Sequence, residues 1–439
     1  MINKIKERIY DFFVNSYDFN GIPLRQISTE FKIKYKPSID IIKSLVEEGA
    51  VSIQSSTNPH IIFFQHYPTE IQLKILEDAK KIKARKITTI GDIVIMSEGT
   101  EYPICLFPSQ SYLYSKRDLS EFSKTEYTRQ LALGEPQLKP IFFEIEVLER
   151  YINDPRFDFK FDDYSGGISC KYDDEGNNPI VREEDQIFLK TFGLGFDESG
   201  KRLAVVYLRY LKDLTWEHQV YWKSKEASGD CKMVKEYHDN TVNGSWTFSS
   251  SIFSAFIGES TCLNQLAIAG FGKPIFQKEF NDQKRPKEFT FFFTPTLKNY
   301  NEFILLLDKM ISDNINKEFF NGEIELYEIQ KIEEGLVERK PKGTLRLFEE
   351  WLTSKYSVQD QNLIKEVFEP FKNVRKERQN PAHKINENVY DEKYTDRQRE
   401  VIKGCYDSVR LLRQIFQRHP KARNVEIPNW LDSGNIKEF

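Results

Sequence analysis

The chain has 439 residues, a formal net charge of -4 and a pI near 6.0, so no global positive field draws it onto nucleic acid. Hydrophobic residues make up 39% and include 34 Phe and 21 Tyr, which supplies the cores of two or three domains and argues against disorder. Five scattered cysteines without a C-x-x-C pair disfavour a zinc ribbon or a disulfide framework, and no signal-like or membrane-length apolar run is present, which predicts a cytoplasmic protein without a membrane partner.

Residues 1–66 predict three helices closed by a β-hairpin. The first helix carries isoleucines at helical spacing, and the second opens at Pro23, a favoured first position. The third runs from Ser38 as an N-cap to Gly49, a residue that tolerates a left-handed helix end. The β-prone runs AVSIQ and HIIFFQ follow, separated by SSTNP. This arrangement resembles a winged helix-turn-helix domain.

Basic side chains surround the predicted third helix: Lys32, Lys34, Lys36 and Lys43. The winged-helix resemblance implies that this helix faces a nucleic-acid groove and that the hairpin contacts phosphates, which makes DNA a partner. The alternative is a protein-contact module, because the same helix carries Asp40, Glu47 and Glu48. Both interpretations stay open.

Two regions separate this domain from the C-terminal part. Residues 67–86 predict a charged linker helix, and residues 87–299 predict a central mixed α+β domain with a mostly antiparallel sheet. The central region includes the helical stretch SIFSAFIGESTCLNQLAIA. Its acidic segment DPRFDFKFDDYSGG alternates phenylalanines with polar residues, which favours a half-buried strand over a metal site.

Residues 300–420 predict a four-helix bundle, because four amphipathic stretches follow one another there. The stretches are NEFILLLDKMISDNI, TLRLFEEWLTSKY, QNLIKEVFEPFKNVRKERQ and DRQREVIKGCYDSVRLLRQIFQRH. Each has an apolar stripe at helical spacing, and four such helices pack most simply as a bundle. Residues 421–439 predict a surface tail. The fold class expected for the whole chain is therefore multidomain α+β.

The segment RQNPAH, at the end of the third of these stretches, combines an arginine with a histidine. Arg378 lies four residues beyond Val374, so it continues the apolar face toward the inner groove of the bundle. Pro381 ends the helical conformation and places His383 near the mouth of that groove. Arginine suits phosphate binding and histidine suits proton transfer near neutral pH. Three more cations surround the pair: Arg375, Lys376 and Lys384.

A second arginine–histidine pair ends the last stretch. Arg413 lies beside the apolar stripe of that helix, and His419 precedes Pro420. Basic residues are favoured in the last turn of a helix by its dipole, which accounts for this pair. Arg378 and His383 are therefore the preferred candidates for a phosphodiester-cleaving site.

A helical bundle with an arginine, a polar residue and a histidine five positions on resembles the HEPN superfamily of ribonucleases, over residues 300–420 and through RQNPAH. The resemblance implies that Arg378 and His383 are catalytic and that Gln379 is the supporting polar residue. It also implies a homodimer, an RNA substrate, and a prokaryotic role in antiviral defence or as the toxin of a toxin–antitoxin system. In such a system the middle region suits a regulatory protein partner.

The expected chemistry needs neither a metal nor a cofactor. The RNA 2′-hydroxyl is the nucleophile, His383 acts as general base or acid, and Arg378 stabilises the phosphorane, giving a 2′,3′-cyclic phosphate and a 5′-hydroxyl. A structural alternative pairs Arg378 with an acidic residue of the bundle, such as Glu349 or Asp407, and leaves His383 as a helix cap. Two functional alternatives are a non-catalytic DNA-binding transcriptional regulator and a protein-interaction scaffold, each using the winged helix and a dimerising bundle.

Overall fold

A computed structural model describes most of the chain. The described residues are 1–54, 66–81, 86–90, 93–97, 104–245, 250–281, 284–333, 336–356, 361–379, 387–433 and 436–438. Contacts divide the chain into two compact units. Unit 1 comprises Met1–Val147, Arg156–Asp158 and Gly167–Met233, and unit 2 comprises Leu148–Pro155, Phe159–Gly166 and Val234–Phe439.

Helices and strands are mixed in unit 1, and helices dominate unit 2. The α-helices of the described residues are α1 (Ile2–Asn15), α2 (Leu24–Glu30), α3 (Tyr35–Glu47), α4 (Thr69–Ala79), α5 (Gln110–Lys116), α6 (Glu126–Ala132), α7 (Glu149–Asn153), α8 (Leu208–Leu211), α9 (Trp216–Lys223), α10 (Lys235–His238), α11 (Ile252–Phe271), α12 (Leu297–Met310), α13 (Thr344–Lys355), α14 (Gln361–Gln379), α15 (Lys393–Gln417) and α16 (Asn429–Asp432). Within these ranges, no helix has both the length and the apolar character needed to cross a bilayer.

The strands pair mostly in antiparallel fashion. They are β1 (Ile22–Pro23), β2 (Val51–Gln54), β3 (Lys86–Ile90), β4 (Ile93–Ser97), β5 (Cys105–Pro108), β6 (Pro140–Glu144), β7 (Phe157–Phe161), β8 (Ser165–Cys170), β9 (Phe188–Phe196), β10 (Arg202–Tyr207), β11 (Lys232–Met233), β12 (Ser250–Ser251), β13 (Tyr327–Glu333), β14 (Leu336–Pro341) and β15 (Ile436–Lys437). β3–β4 and β13–β14 are antiparallel hairpins, and β12 pairs with β15 in parallel. The predicted multidomain α+β class, the mostly antiparallel sheets and the C-terminal helical region are confirmed.

The N-terminal part of unit 1 packs α1, α2 and α3 on an antiparallel sheet of order β1–β5–β2. The predicted N-cap at Ser38 is wrong: α3 begins at Tyr35, and the buried Ser38 hydroxyl donates to the Tyr35 carbonyl. Gly49 ends the helix with a φ of 76°, as predicted. β2 pairs with β5, whereas the run HIIFFQ, predicted as its hairpin partner, lies outside the described residues.

The helix predicted at 67–86 is α4, and it belongs to this N-terminal core. Leu76 and Ala79 are buried among the residues of α1, α3 and the sheet. The Gln72 side-chain oxygen accepts from the Ile53 amide at 3.0 Å. Because β2 lies at the edge of its sheet, this contact satisfies an edge amide that would otherwise be open to another strand. α4 therefore covers one side of the domain.

A second sheet has the order β6–β10–β9–β8–β7, with β11 beside β9. β10 runs antiparallel to both of its neighbours and is almost wholly buried. Along β7, the buried Phe157 and Phe159 alternate with the exposed Asp158 and Lys160. The strand predicted in the acidic segment is therefore confirmed, and Asp158 is its one carboxylate.

Unit 2 is built around long helices. α14 contacts α12, α13 and α15, and the 20-residue α11 packs along α15. α11 is the stretch SIFSAFIGESTCLNQLAIA, which the sequence pattern places in the central region. Two of its glycines allow close approach, because a Cβ at Gly258 would lie 3.0 Å from Trp430 and a Cβ at Gly270 would lie 3.2 Å from His419. The helical part of the chain thus includes α11 as well as the four predicted stretches.

Candidate functional site

The last turn of α14 carries Arg375, Lys376, Arg378 and Gln379. The helix forms because its apolar residues recur at helical spacing and face the neighbouring helices, and these residues are buried: Ile364, Phe368, Phe371 and Val374. Arg378 continues this buried line one turn beyond Val374 and reaches α12. His383 and Lys384 lie outside the described residues.

Arg378 is held by two carboxylates. Its Nη1 donates to Oδ2 of Asp308 on α12 at 2.5 Å and to Oδ2 of Asp313 at 2.7 Å. Arg375 reaches the same two carboxylates through Nη1, at 3.5 and 3.2 Å. Asp308 is fully buried, so one end of this cluster of two arginines and two aspartates lies inside the protein.

Arg378 pairs with acidic residues, as the structural alternative expects, but the partners are Asp308 and Asp313 rather than Glu349 or Asp407. Glu349 pairs with Lys372 at 2.9 Å, and neither Glu349 nor Asp407 contacts Arg378. Within the described ranges, Nε and Nη2 of Arg378 have no hydrogen-bond partner, and the side chain is 31% exposed. Both carboxylates therefore hold the same nitrogen of the guanidinium, Nη1.

The ion pairs shift the titration of both partners. Hydrogen bonds to Asp308 and then Asp313 raise the pKa of Arg378 above its ordinary value. Burial raises the pKa of Asp313, but hydrogen bonds from Arg378 and Arg375 outweigh it and set that pKa below its usual range. A carboxyl with a lowered pKa stabilises the fold above its unfolded-state pKa and loses this contribution as pH falls through its folded-state pKa. Asp313 is therefore ionised at neutral pH, and its contribution to the cluster weakens in acid.

An open cavity of about 620 Å³ lies between the start of α13 and the last turns of α14. Lys372, Arg375, Lys376 and Gln379 line it from α14, because residues spaced by three and four share one face of a helix. Arg378 is not part of this lining. Three residues that the sequence assigns to the site, Arg375, Lys376 and Gln379, thus line one cavity. Arg378 lies on the adjacent face of the same turn.

Replacing Arg378 with alanine is expected to lower the free energy of unfolding by about 1–3 kcal/mol, because Asp308 would stay buried without its shortest hydrogen bond. Urea denaturation at neutral pH measures this loss. Arg375→Ala is the matched control and should cost less, since its contact with Asp308 is 3.5 Å long. Equal stability of Arg378→Ala and the unaltered protein would contradict a supporting role for the pair.

The four lysines predicted around the third helix do not form one surface. Lys32, Lys34 and Lys36 are exposed at the start of α3. Lys43 instead forms a salt bridge with Glu77 of α4, while Asp40 of α3 bonds Lys80 just after α4. α4 therefore occupies the Lys43 side of the helix that the sequence assigns to a nucleic-acid groove.

The prediction that Arg413 lies beside the apolar stripe of its helix is wrong. Its side chain is 1% exposed and donates to both carboxylate oxygens of the fully buried Glu259, at 2.7 and 3.1 Å, and to Asp432 at 2.8 Å. The His419 ring packs on Phe271, with 4.7 Å between the ring centroids. This second arginine–histidine pair is therefore structural.

The acidic segment of the central region holds a buried polar network rather than a metal site. Asp163 is fully buried and accepts from Arg285 at 2.5 Å, from the Thr290 hydroxyl at 2.6 Å and from the Ser251 hydroxyl. Throughout the described part of the chain, no three His, Cys, Asp or Glu side chains converge to hold a metal ion. The role of Asp163 is to anchor this part of unit 2.

Two of these features escaped the sequence argument. The partners of Arg378 come from α12 and the loop after it, some 65 to 70 residues away along the chain. The only sequence signal for Glu259 is its position inside an otherwise apolar helix, where a carboxylate needs a cationic partner. Spacing within one helix identifies neither partner.

Comparisons with known protein families, curated proteins and solved structures found no match to this chain. The HEPN and winged-helix resemblances therefore have no support outside the chain's own residues. The candidate site rests on the cavity, the arginine–aspartate cluster and the segment RQNPAH.

Proposed function

We propose that this chain is a metal-independent endoribonuclease whose site lies at the C-terminal end of α14. The observation that carries the proposal is the meeting of Arg375, Lys376 and Gln379 in one open cavity, beside Arg378. Arginines and lysines bind phosphate through charge-assisted hydrogen bonds. An RNA strand in this cavity brings a phosphodiester to the start of the segment that contains His383.

In the proposed reaction the RNA 2′-oxygen attacks phosphorus and the bond to the 5′-oxygen breaks. A general base takes the proton of the 2′-hydroxyl, and a general acid gives a proton to the leaving 5′-oxygen, with His383 in one of these roles. Arg378 stabilises the negative charge of the phosphorane through Nε and Nη2. Gln379 supports the phosphate from the cavity. The products are a 2′,3′-cyclic phosphate and a 5′-hydroxyl.

The fold elements support a finer assignment within the same proposal. The order α1–β1–α2–α3–β2–β5, with β5 between β1 and β2, supports the assignment of a winged helix with a long insertion between its last two strands. The contacts of α14 with α12, α13 and α15 suit a HEPN-like bundle. The proposal also includes a homodimer in which two RQNPAH segments are paired. It further assigns the chain to prokaryotic defence or toxin proteins and gives it a regulatory protein partner.

The proposed regulator function finds less support. Exposed Lys32, Lys34 and Lys36 favour phosphate contacts by the N-terminal domain. However, α4 engages Lys43 and Asp40 on the helix that would enter a DNA groove. Sequence-specific readout needs that helix surface to reach base edges. RNA cleavage at α14 is therefore the better-supported function.

The test is cleavage of an end-labelled RNA by the purified chain in the presence of EDTA. Cleavage is expected to persist with the chelator and to leave 2′,3′-cyclic phosphate and 5′-hydroxyl ends, because the nucleophile belongs to the RNA. The matched control is a DNA strand of the same sequence, which lacks the 2′-hydroxyl and should stay intact. Mapping the product ends by enzymatic phosphorylation distinguishes this chemistry from hydrolysis by water.

Two outcomes contradict the proposal. One is that the RNA stays intact under every condition in which the protein is folded, whether the protein is monomeric or dimeric. The other is cleavage of the DNA control at a comparable rate, since that reaction requires water rather than the 2′-hydroxyl as the nucleophile.

A further inference from the structure

The cavity between α13 and α14 carries more positive than negative charge. Its cationic side chains are Arg346, Lys372, Arg375 and Lys376, and its carboxylates are Glu349 and Glu350. With the ion-pair partners of these side chains included, namely Lys342, Arg378, Glu328, Asp308 and Asp313, six cations stand against five carboxylates, and a formal charge of +1 remains in a protein whose total charge is -4. The cavity is therefore a local positive site on an acidic chain, which is the electrostatic footprint of an anion-binding surface.

The carboxylates of the cavity are already engaged. Glu349 pairs with Lys372 at 2.9 Å, and Glu350 pairs with Lys342 and with Arg346, at 2.5 and 2.9 Å. Lys376 has no carboxylate partner within the described ranges and is exposed. An incoming anion therefore meets one unpaired ammonium and an arginine, Arg375, whose contacts with its aspartates are long.

The walls of the cavity carry no aromatic ring among the described residues. The described lining contains only one apolar side chain, Leu345; the rest is charged, amide, hydroxyl or glycine. Bases of single strands stack on aromatic rings or on the planes of arginine guanidinium groups, and cations track the backbone. Among the described lining residues a base can therefore stack on Arg346 or Arg375, and such stacking tolerates every base.

We infer that this cavity binds the backbone phosphates of a single RNA strand without selecting its bases, with Lys376 and Arg375 as the contacting cations. The inference rests on the proposed function, which it extends from a reaction to a class of substrate. The cavity, of about 620 Å³, is open to solvent and has room for a short stretch of one strand. Cleavage sites are then set by strand accessibility rather than by sequence.

The experiment measures binding of fluorescent oligouridine, oligoadenine and oligocytidine by anisotropy, using His383→Ala protein so that cleavage does not interfere. Lys376→Glu in that background is expected to weaken binding of all three by about 10-fold at low salt and to flatten the salt dependence, as the loss of a phosphate contact does. Lys376→Ala should have a smaller effect in the same direction.

Lys365→Glu is the matched control. It makes the same charge change on an exposed residue of the same helix, about 16 Å away and outside the cavity. Binding by this variant is expected to match that of the parent protein. Circular dichroism of both variants verifies that the charge changes leave the fold intact.

Unchanged binding in Lys376→Glu, or an equal loss in Lys365→Glu, overturns the inference. So does a strong preference for one homopolymer, or equally tight binding of an RNA duplex. If the unaltered protein cleaves RNA while Lys376→Glu binds normally, the inference fails and the proposed function stands. If Lys376→Glu loses binding but the unaltered protein never cleaves, the cavity is an RNA-binding site and the proposed function fails.

Discussion

Replacing His383 with alanine is expected to lower the rate of RNA cleavage by about 10²–10⁴-fold, the usual contribution of a positioned general acid or base. The 2′-hydroxyl and the leaving 5′-oxygen both need proton transfer for the reaction to proceed, and the imidazole is the side chain of the segment suited to it near neutral pH. Single-turnover cleavage of a labelled RNA measures the loss. Binding of the same RNA should change little.

His238→Ala is the control for this variant, because His238 is a partly exposed histidine far from RQNPAH along the chain. It should cleave at the rate of the unaltered protein. Added imidazole should restore part of the activity of His383→Ala, since a small molecule then occupies the space left by the side chain. Full activity in His383→Ala would remove His383 from the mechanism and leave the cationic cavity as a binding site.

The arginine–aspartate cluster constrains what Arg378 contributes to such a reaction. Two arginines and two carboxylates have no net charge, so the cluster attracts phosphate less than an unpaired arginine would. The buried Asp308 instead fixes the position of Nη1 and thereby the orientation of the whole planar guanidinium. In the proposed reaction, the field that draws in a phosphate would come from Lys376 and the cavity, and Arg378 would supply donors whose position Asp308 fixes.

The helices of unit 2 were predictable because their apolar stripes are local. Val374 and Phe371 lie at helical spacing in the sequence and are buried in the structure. Bounds were less predictable: the extended Lys34 is the N-cap residue and α3 begins at Tyr35, while Ser38 bonds back to a carbonyl within the helix. A serine inside a helix and a serine at its N-cap give the same sequence pattern.

The packing partners were not predictable from spacing, because they depend on residues far apart along the chain. α4 resembles a solvated linker in its charges, yet Leu76 and Ala79 complete the N-terminal core. Arg413 resembles a helix-end cation, yet it is buried against Glu259 from α11. In both cases the sequence is rich in charged residues although part of it is buried. The tertiary fold determines which residues pack against that buried part.

Replacing Arg413 with methionine is expected to lower the free energy of unfolding by about 3–5 kcal/mol, because the carboxylate of Glu259 would remain fully buried without its partner. Methionine keeps much of the volume of the arginine stem, so the lost charge rather than a cavity dominates the effect. Urea denaturation of the whole chain measures it. Arg399→Met is the control, since Arg399 pairs with Asp396 at the surface and such pairs contribute about 0–1 kcal/mol.

The double variant Glu259→Gln/Arg413→Met separates the two sources of this loss. It leaves no buried charge at the site, so it should recover part of the stability lost in Arg413→Met, even though one more side chain has been changed. A double variant as unstable as the sum of the two single variants would show that Glu259 and Arg413 act independently. If Arg413→Met alone lowers the free energy of unfolding only slightly, a water molecule or another cation must compensate Glu259. Since α11 and α15 are joined by this pair, its coupling energy reports how firmly α11 is held to the helices that carry the candidate site.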